Sequence, residues 1–273
     1  MALPLLAAAI LYAGTVVLST AVTHCPPCGN TTVPYPLSTG SNCGDQDYKV
    51  QCDAGTLKFP SANNSYVISS VDPDTQKIVI EPAEFEPGRC ITEDITSVGV
   101  QLNSTLPFNI TGDNTIMFLN CTDTLLQSPL NCSSNSLCHV YINNADDVAA
   151  CENASICCTF RAGGSTTSYS ITVRQAGCQA YRSFVDLDPS LPVSKWGNPG
   201  LEIQWLLPQE PVCSSQADCA SDGGNSTCRV DPSNSGVSRC YCISGLFWDA
   251  IVGICARSKF LFVQISSPKS VYQ

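Results

Sequence analysis

The chain has 273 residues, a net charge of −10 from 13 Lys and Arg against 23 Asp and Glu, 18 cysteines and only two histidines. An acidic body counts against nucleic acid or an anionic membrane as partner, since both need basic patches. Two histidines, His24 and His139, leave no basis for a histidine triad or a multi-histidine metal site, and no two carboxylates stand out as a glycosidase pair.

The first 21 residues, MALPLLAAAILYAGTVVLSTA, form an apolar run without a charged side chain. It closes on Ser19-Thr20-Ala21, small residues of the kind a signal peptidase accepts. Residues 1–21 are therefore expected to be a signal peptide, with the mature chain starting near Val22. All 18 cysteines follow it, 12 from Cys25 to Cys178 and 6 from Cys213 to Cys255, so each block is even and can close on itself. That is the cysteine usage of an oxidising compartment. Eight N-x-S/T sequons, at Asn30, Asn63, Asn103, Asn109, Asn120, Asn131, Asn153 and Asn225, predict glycosylation of several asparagines. The acidity belongs to residues 22–212, with 8 cationic against 19 anionic side chains, while residues 213–273 have 5 against 4.

The mature chain opens on His24-Cys25-Pro26-Pro27-Cys28. C-x-x-C is the spacing of a redox dithiol, of half a zinc site and of a disulfide knuckle. A redox pair sits at a helix start, whereas "GNTTVPYPL" follows here with two prolines. A zinc knuckle needs a second close pair, and Cys43 and Cys52 are too far apart. Cys25, Cys28, Cys43 and Cys52 are expected to be structural half-cystines, with their pairing open.

Strand signals then dominate. "DYKVQC" (47–52) and "TLKF" (56–59) flank Asp53-Ala54-Gly55, and "SYVISSV" (65–71) and "KIVIEP" (77–82) flank Asp72-Pro73-Asp74, predicting two hairpins. Further β-rich runs are "TIMFLNC" (115–121), "LCHVYI" (137–142), "SYSITV" (168–173) and "LEIQWLL" (201–207). "CQAYRSFVDL" (178–187) alone reads as two turns of helix. The fold class expected is a mainly β, disulfide-rich secreted protein. It has two small lobes, residues 22–100 and 101–211, joined by the Ser/Thr/Asn-rich stretch "SVGVQLNSTLPFNITGDN".

The second cysteine block runs C-x5-C-x8-C-x11-C-x-C-x12-C from Cys213 to Cys255. With Cys240-x-Cys242, Gly245 and an aromatic in "YCISGLFWD", residues 212–257 resemble an EGF-like module. That resemblance implies the bonds Cys213 to Cys228, Cys219 to Cys240 and Cys242 to Cys255. So short a module cannot bury enough apolar area to fold without such staples, each worth about 3 kcal/mol. The acidic cluster and the Asp/Asn-with-aromatic pattern of calcium-binding versions are missing: only Glu210 precedes Cys213, and Asp231 has no Tyr or Phe between it and Cys240. No dedicated metal site and no cofactor are expected.

"CPPCGNTTVPYPLSTGSNCGDQDYKVQC" resembles the galacturonan-binding domain of plant wall-associated receptor kinases. "GCQAYRSFVDLD" and "GLEIQWLL" are similar to the second extracellular region of the same receptors, in which an EGF-like module recurs. The resemblance implies an ectodomain facing the cell wall or apoplast that binds pectin, an oligogalacturonide polyanion, without catalysis, together with a possible co-receptor. An acidic body must hold such a ligand through a local cationic patch, bridging Ca²⁺ or hydrogen bonds to the sugar. Lys49, Lys58, Lys77 and Arg89 are the cations on offer before residue 100. For stacking on pyranose rings the chain offers Tyr35, between two prolines, and Trp196, Trp205 and Trp248. The tail, residues 258–273, contains "FLFVQI", far short of the roughly 20 residues needed to span a bilayer. A membrane span and a kinase, both present in the receptors, are expected to be absent, either because the protein is secreted or because it is a truncated receptor. The rival reading is protein or peptide recognition through the EGF-like module.

Overall fold

The computed structural model describes residues 24–257 apart from 98, 123–129, 155, 163–169 and 174–176. The expected signal peptide and the tail from residue 258 lie outside the described residues. Among the described residues no helix is long and apolar enough to cross a membrane.

Strands β1 (Gln51–Asp53) and β2 (Thr56–Pro60) pair antiparallel around a two-residue turn, Ala54-Gly55. Both turn residues have positive φ, +48° and +82°, the turn whose twist matches that of the flanking strands. Strands β3 (Ser65–Asp72) and β4 (Lys77–Ile80) form the second hairpin. Its turn is held by Asp72, whose carboxylate accepts from the Asp74 and Thr75 backbone N–H groups and from the Thr75 hydroxyl. In these strands Leu57, Phe59, Tyr66, Ile68, Ile78 and Ile80 are buried at every second position, which places them on one core-facing side.

The chain continues through β5 (Gly99–Gln101), β6 (Phe108–Ile110), β7 (Asn114–Leu119), helix α1 (Leu137–Ile142), β8 (Cys158–Arg161), β9 (Ser170–Thr172), β10 (Ala180–Val185) and β11 (Leu201–Trp205). Two local expectations are corrected. "LCHVYI" is helix α1, not strand: the Ser136 side chain caps it by accepting from the His139 N–H, and Cys138, Tyr141 and Ile142 are buried at helical spacing. "CQAYRSFVDL" contains strand β10, not helix. Its residues Ala180 to Phe184 are all buried, so the alternation that marks a half-exposed strand is missing.

The main sheet runs β1-β2-β3-β4-β11-β6, a three-stranded sheet runs β10-β7-β8, and β5 pairs with β9. Strand β11 inserts between β4 and β6, with Leu201 opposite Ile80 and Trp205 opposite Phe108. Strands from either side of residue 100 thus share one sheet, and the Cys90–Cys151 bond also crosses that point. The two lobes expected in sequence interlock instead of dividing there. One core, including Leu37, Phe59, Ile78, Ile203 and Trp205, lies beneath the main sheet, and a second, including Met117, Tyr141 and Phe184, packs against α1.

All 18 cysteines are bonded. Cys25 joins Cys43 and Cys28 joins Cys52. The C-x-x-C sulfurs therefore diverge: Cys25–Cys43 closes the amino-terminal loop on itself and Cys28–Cys52 pins it to β1. The remaining bonds of the first block are Cys121–Cys178, Cys132–Cys158 and Cys138–Cys157. After β11 come the hairpins β12 (Ser226–Asp231) with β13 (Asn234–Cys242) and β14 (Phe247–Asp249) with β15 (Ile254–Ala256). Cys213–Cys228, Cys219–Cys240 and Cys242–Cys255 staple them. The core of this module is little more than Cys213, Cys219 and Cys240.

Candidate functional site

The four cations of the amino-terminal region do not make one patch. Lys58, on β2, places its ammonium 2.7 Å from Asp53 across the hairpin. Lys77, at the start of β4, lies 2.9 Å from Glu202 and 3.1 Å from Asp113. Glu202 also accepts from the Thr111 hydroxyl at 2.8 Å, so Lys77 belongs to a structural network joining β4 to β11. Arg89 pairs with Glu86 at 3.0 Å. Lys49 is different: it is exposed and has no ion-pair partner among the described residues.

Lys49 stands over a hollow of about 500 Å³ lined by Phe59 to Ala62, Gln101 to Asn103, Leu106 and Phe108. The floor is rigid. Phe59 and Phe108 are buried edge to face with ring centroids 5.1 Å apart, and Tyr48 packs on Phe108 at 5.9 Å. The two walls are zipped together. The Ser61 hydroxyl donates to the Gln101 carbonyl at 3.0 Å and accepts from the Gln101 N–H at 2.8 Å, while the Ala62 N–H donates to the same carbonyl. These bonds occupy only the Gln101 backbone. Asn103 accepts through Oδ1 from the Thr105 N–H and hydroxyl. The hollow thus has an apolar base of Pro60, Leu102 and Leu106 over the buried rings, with the Lys49 ammonium and the Gln101 and Asn103 amides among the groups around it. Those groups can take an apolar ring face, a carboxylate and hydroxyls respectively.

Of these residues only Lys49 was singled out from the sequence. Gln101, Leu102 and Leu106 read as part of a connection, and only the fold brings them beside Lys49.

The aromatic candidates are placed otherwise. Tyr35 is 3 % exposed. Burial, then Asp45 and Tyr48, push its hydroxyl well above the ordinary tyrosine range, so it is no open stacking platform. Trp205 is buried in the main core. Trp196 stacks on Tyr141 at 6.0 Å, and the Trp248 indole N–H donates to the Pro208 carbonyl at 3.0 Å. All three are structural. In the carboxy-terminal module Asp231 accepts from the Ser233 N–H and hydroxyl and from Arg239. Its carboxyl is held well below the usual range by Ser233 first and Arg239 next. Cys213, Cys219 and Cys228 converge, but all three are in disulfides and offer no thiolate to a metal.

A larger cleft of about 810 Å³ lies between the amino-terminal loop, the stretch after β11 and the stapled module. Asp45, Asp47, Glu210 and Asp218 line it with Arg239 as its one cation. That balance repels a polyanion.

Residues 25–82 match the domain described as wall-associated receptor kinase galacturonan-binding. Over 242 residues the chain is 46 % identical to wall-associated receptor kinase-like 20 of Arabidopsis thaliana, covering 86 % of this chain and 36 % of that protein. The chain is a relative of the wall-associated receptor kinase-like proteins. Wall-associated receptor kinase-like 15 of the same plant is 44 % identical over 240 residues, with 85 % of this chain and 37 % of that protein covered. The chain therefore spans little more than a third of the curated relatives it matches. No solved structure matches it. The galacturonan-binding match contains Lys49 and the Phe59–Ala62 wall of the hollow, while the wall from Gln101 to Phe108 comes from beyond it.

Proposed function

We propose that this chain binds de-esterified galacturonan at the outer face of the cell, without catalysis, and that the Lys49 hollow takes a galacturonate unit. The observation that carries the reading is the uncommitted Lys49 ammonium above an apolar floor with the Gln101 and Asn103 amides on its rim. A uronate ring has the complementary groups: one carboxylate, one apolar face and several hydroxyls. The match of residues 25–82 to a galacturonan-binding domain supports the ligand class. Nine disulfides and eight sequons support an extracellular site of action.

One charge-assisted bond at a partly solvated position is worth about 1–2 kcal/mol, so Lys49→Met should weaken binding roughly 5- to 30-fold. The test is calorimetric titration of the secreted, glycosylated chain with oligogalacturonides, their methyl-esterified forms and a neutral oligosaccharide, across a salt series with and without Ca²⁺. Binding that requires free carboxylates, falls with salt and is weakened by Lys49→Met and Gln101→Ala supports the reading. Binding that depends wholly on Ca²⁺ and ignores Lys49→Met would replace the hollow by ion bridging. No binding under any condition would remove galacturonan as the ligand.

A further inference from the structure

We infer that the acidic cleft between the amino-terminal loop and the stapled module is a docking site for an extended cationic peptide segment of a partner protein. The cleft shares only Leu106 with the lining of the Lys49 hollow, and none of its charged groups belongs to that hollow. Three apolar side chains lie open along the wall of the cleft: Leu206 is 60 % exposed, Leu207 50 % and Val212 62 %. Large aliphatic side chains exposed this close together are a feature of interaction surfaces.

The stretch bearing them is already ordered. The Leu206 N–H donates to the Pro107 carbonyl, the Pro208 carbonyl accepts from Trp248, the Pro211 carbonyl from the Cys240 N–H, and the Cys213 N–H donates to the Ser238 carbonyl. A ligand settling on it therefore meets little cost of ordering the wall.

Charge narrows the occupant. Asp45, Asp47, Glu210 and Asp218 face the cleft. Its one cation, Arg239, is spent internally, with Nε 2.9 Å from Asp231 and an amino group 2.7 Å from the Glu210 carbonyl. Asp218 accepts from the Ser214 and Ser215 N–H groups, which hold its carboxyl below the ordinary range. The field in the cleft is negative, and a polyuronate or an anionic lipid is turned away. A neutral glycan would want aromatic platforms, while leucine and valine suit peptide side chains. The partner that satisfies both features is a chain segment with Lys or Arg interleaved with aliphatic residues.

The test is fluorescence anisotropy of the full secreted chain with a labelled ten-residue alternating Lys-Leu peptide, beside Glu-Leu and Lys-Ser peptides of the same length. Binding of the Lys-Leu peptide is expected, with at least about ten-fold weaker binding of the Lys-Ser peptide, since two lost leucine contacts are worth that much. Leu206→Ser/Val212→Ser should weaken Lys-Leu binding by about the same factor. Asp45→Asn/Asp47→Asn should weaken it and flatten its salt dependence. Glu84→Gln/Glu152→Gln, which removes acids elsewhere, should leave Lys-Leu binding unchanged. Should the double serine variant fail to be secreted, Asp47→Asn alone, at an exposed carboxylate, carries the test. Lys-Leu binding that responds equally to the Glu84/Glu152 pair would be attraction to net charge alone and would overturn the proposal, as would no binding or binding indifferent to every cleft variant.

Discussion

Lys77 and Lys49 are alike in sequence, both cations in strand-rich stretches of the galacturonan-binding match, and Lys77→Met separates their roles. The substitution keeps the aliphatic stem and removes the charge. Glu202, whose side chain is 8 % exposed, then loses its ammonium partner. Stranding a fully buried charge costs about 3–5 kcal/mol and breaking an exposed pair about 0–1. This network lies between, because Lys77 is 27 % and Asp113 46 % exposed and the Thr111 hydroxyl stays on Glu202. About 2 kcal/mol is expected, a fall in melting temperature of about 4–8 °C for a domain of this size, with galacturonan affinity of the folded protein unchanged. The Lys77 ammonium pKa is raised, chiefly by its hydrogen bond to Glu202, against burial and with help from Asp113. A raised folded value means that this stabilisation is fully present below the unfolded lysine value, about 10.4, and is lost as pH rises through the higher folded one. The wild-type advantage should therefore hold across neutral pH and shrink in the strongly alkaline range. Near-UV circular dichroism melts of wild type, Lys77→Met and Lys49→Met, paired with oligogalacturonide titrations, measure both quantities. If Lys77→Met melts with the wild type but loses binding as Lys49→Met does, the assignment of Lys77 to structure is wrong and the cations act together on the ligand.

Three further outcomes are expected. Cys242→Ser, which opens a bridge of sequence separation 13, should cost about 3 kcal/mol and yield a poorly secreted chain whose module is cut by protease; normal secretion with a resistant module would refute this. Gly29→Ala should destabilise by more than about 2 kcal/mol, because φ there is +59° and a Cβ would lie 2.3 Å from the Gly55 carbonyl oxygen. Gly88→Ala, at φ +69° in open space, should cost only about 1 kcal/mol in the same melts. Glycopeptide mass spectrometry should find glycan at the exposed Asn30, Asn63, Asn131 and Asn153. Little is expected at Asn120, whose amide donates to Gln179 at 2.7 Å, or at Asn109, whose Oδ1 is buried; full occupancy at either would contradict the packing around it.

What local sequence determines is visible in the two hairpins. Asp53-Ala54-Gly55 and Asp72-Pro73-Asp74 carry their turn chemistry within a few residues, and the alternating apolar positions beside them point to one face. The mainly β, disulfide-rich class and the relation to wall-associated receptors were legible for a similar reason, since cysteine count and spacing and the ordered motifs are properties of the chain itself. Where burial covers both sides of an element the local signal disappears. Strand β10 has no alternation to read, and α1 is too short to display a helical period, so each was assigned the wrong way. The candidate site failed locally for an electrostatic reason. Lys77 is answered by Glu202, 125 positions away, and Lys49 is left free beside a Gln101 wall that reaches it only across the fold. Lys58 and Arg89 are answered locally, by Asp53 and Glu86, but that Lys77 is spent is decided by the pairing of β11 with β4, which brings Glu202 beside it, and that pairing is a property of the tertiary structure alone.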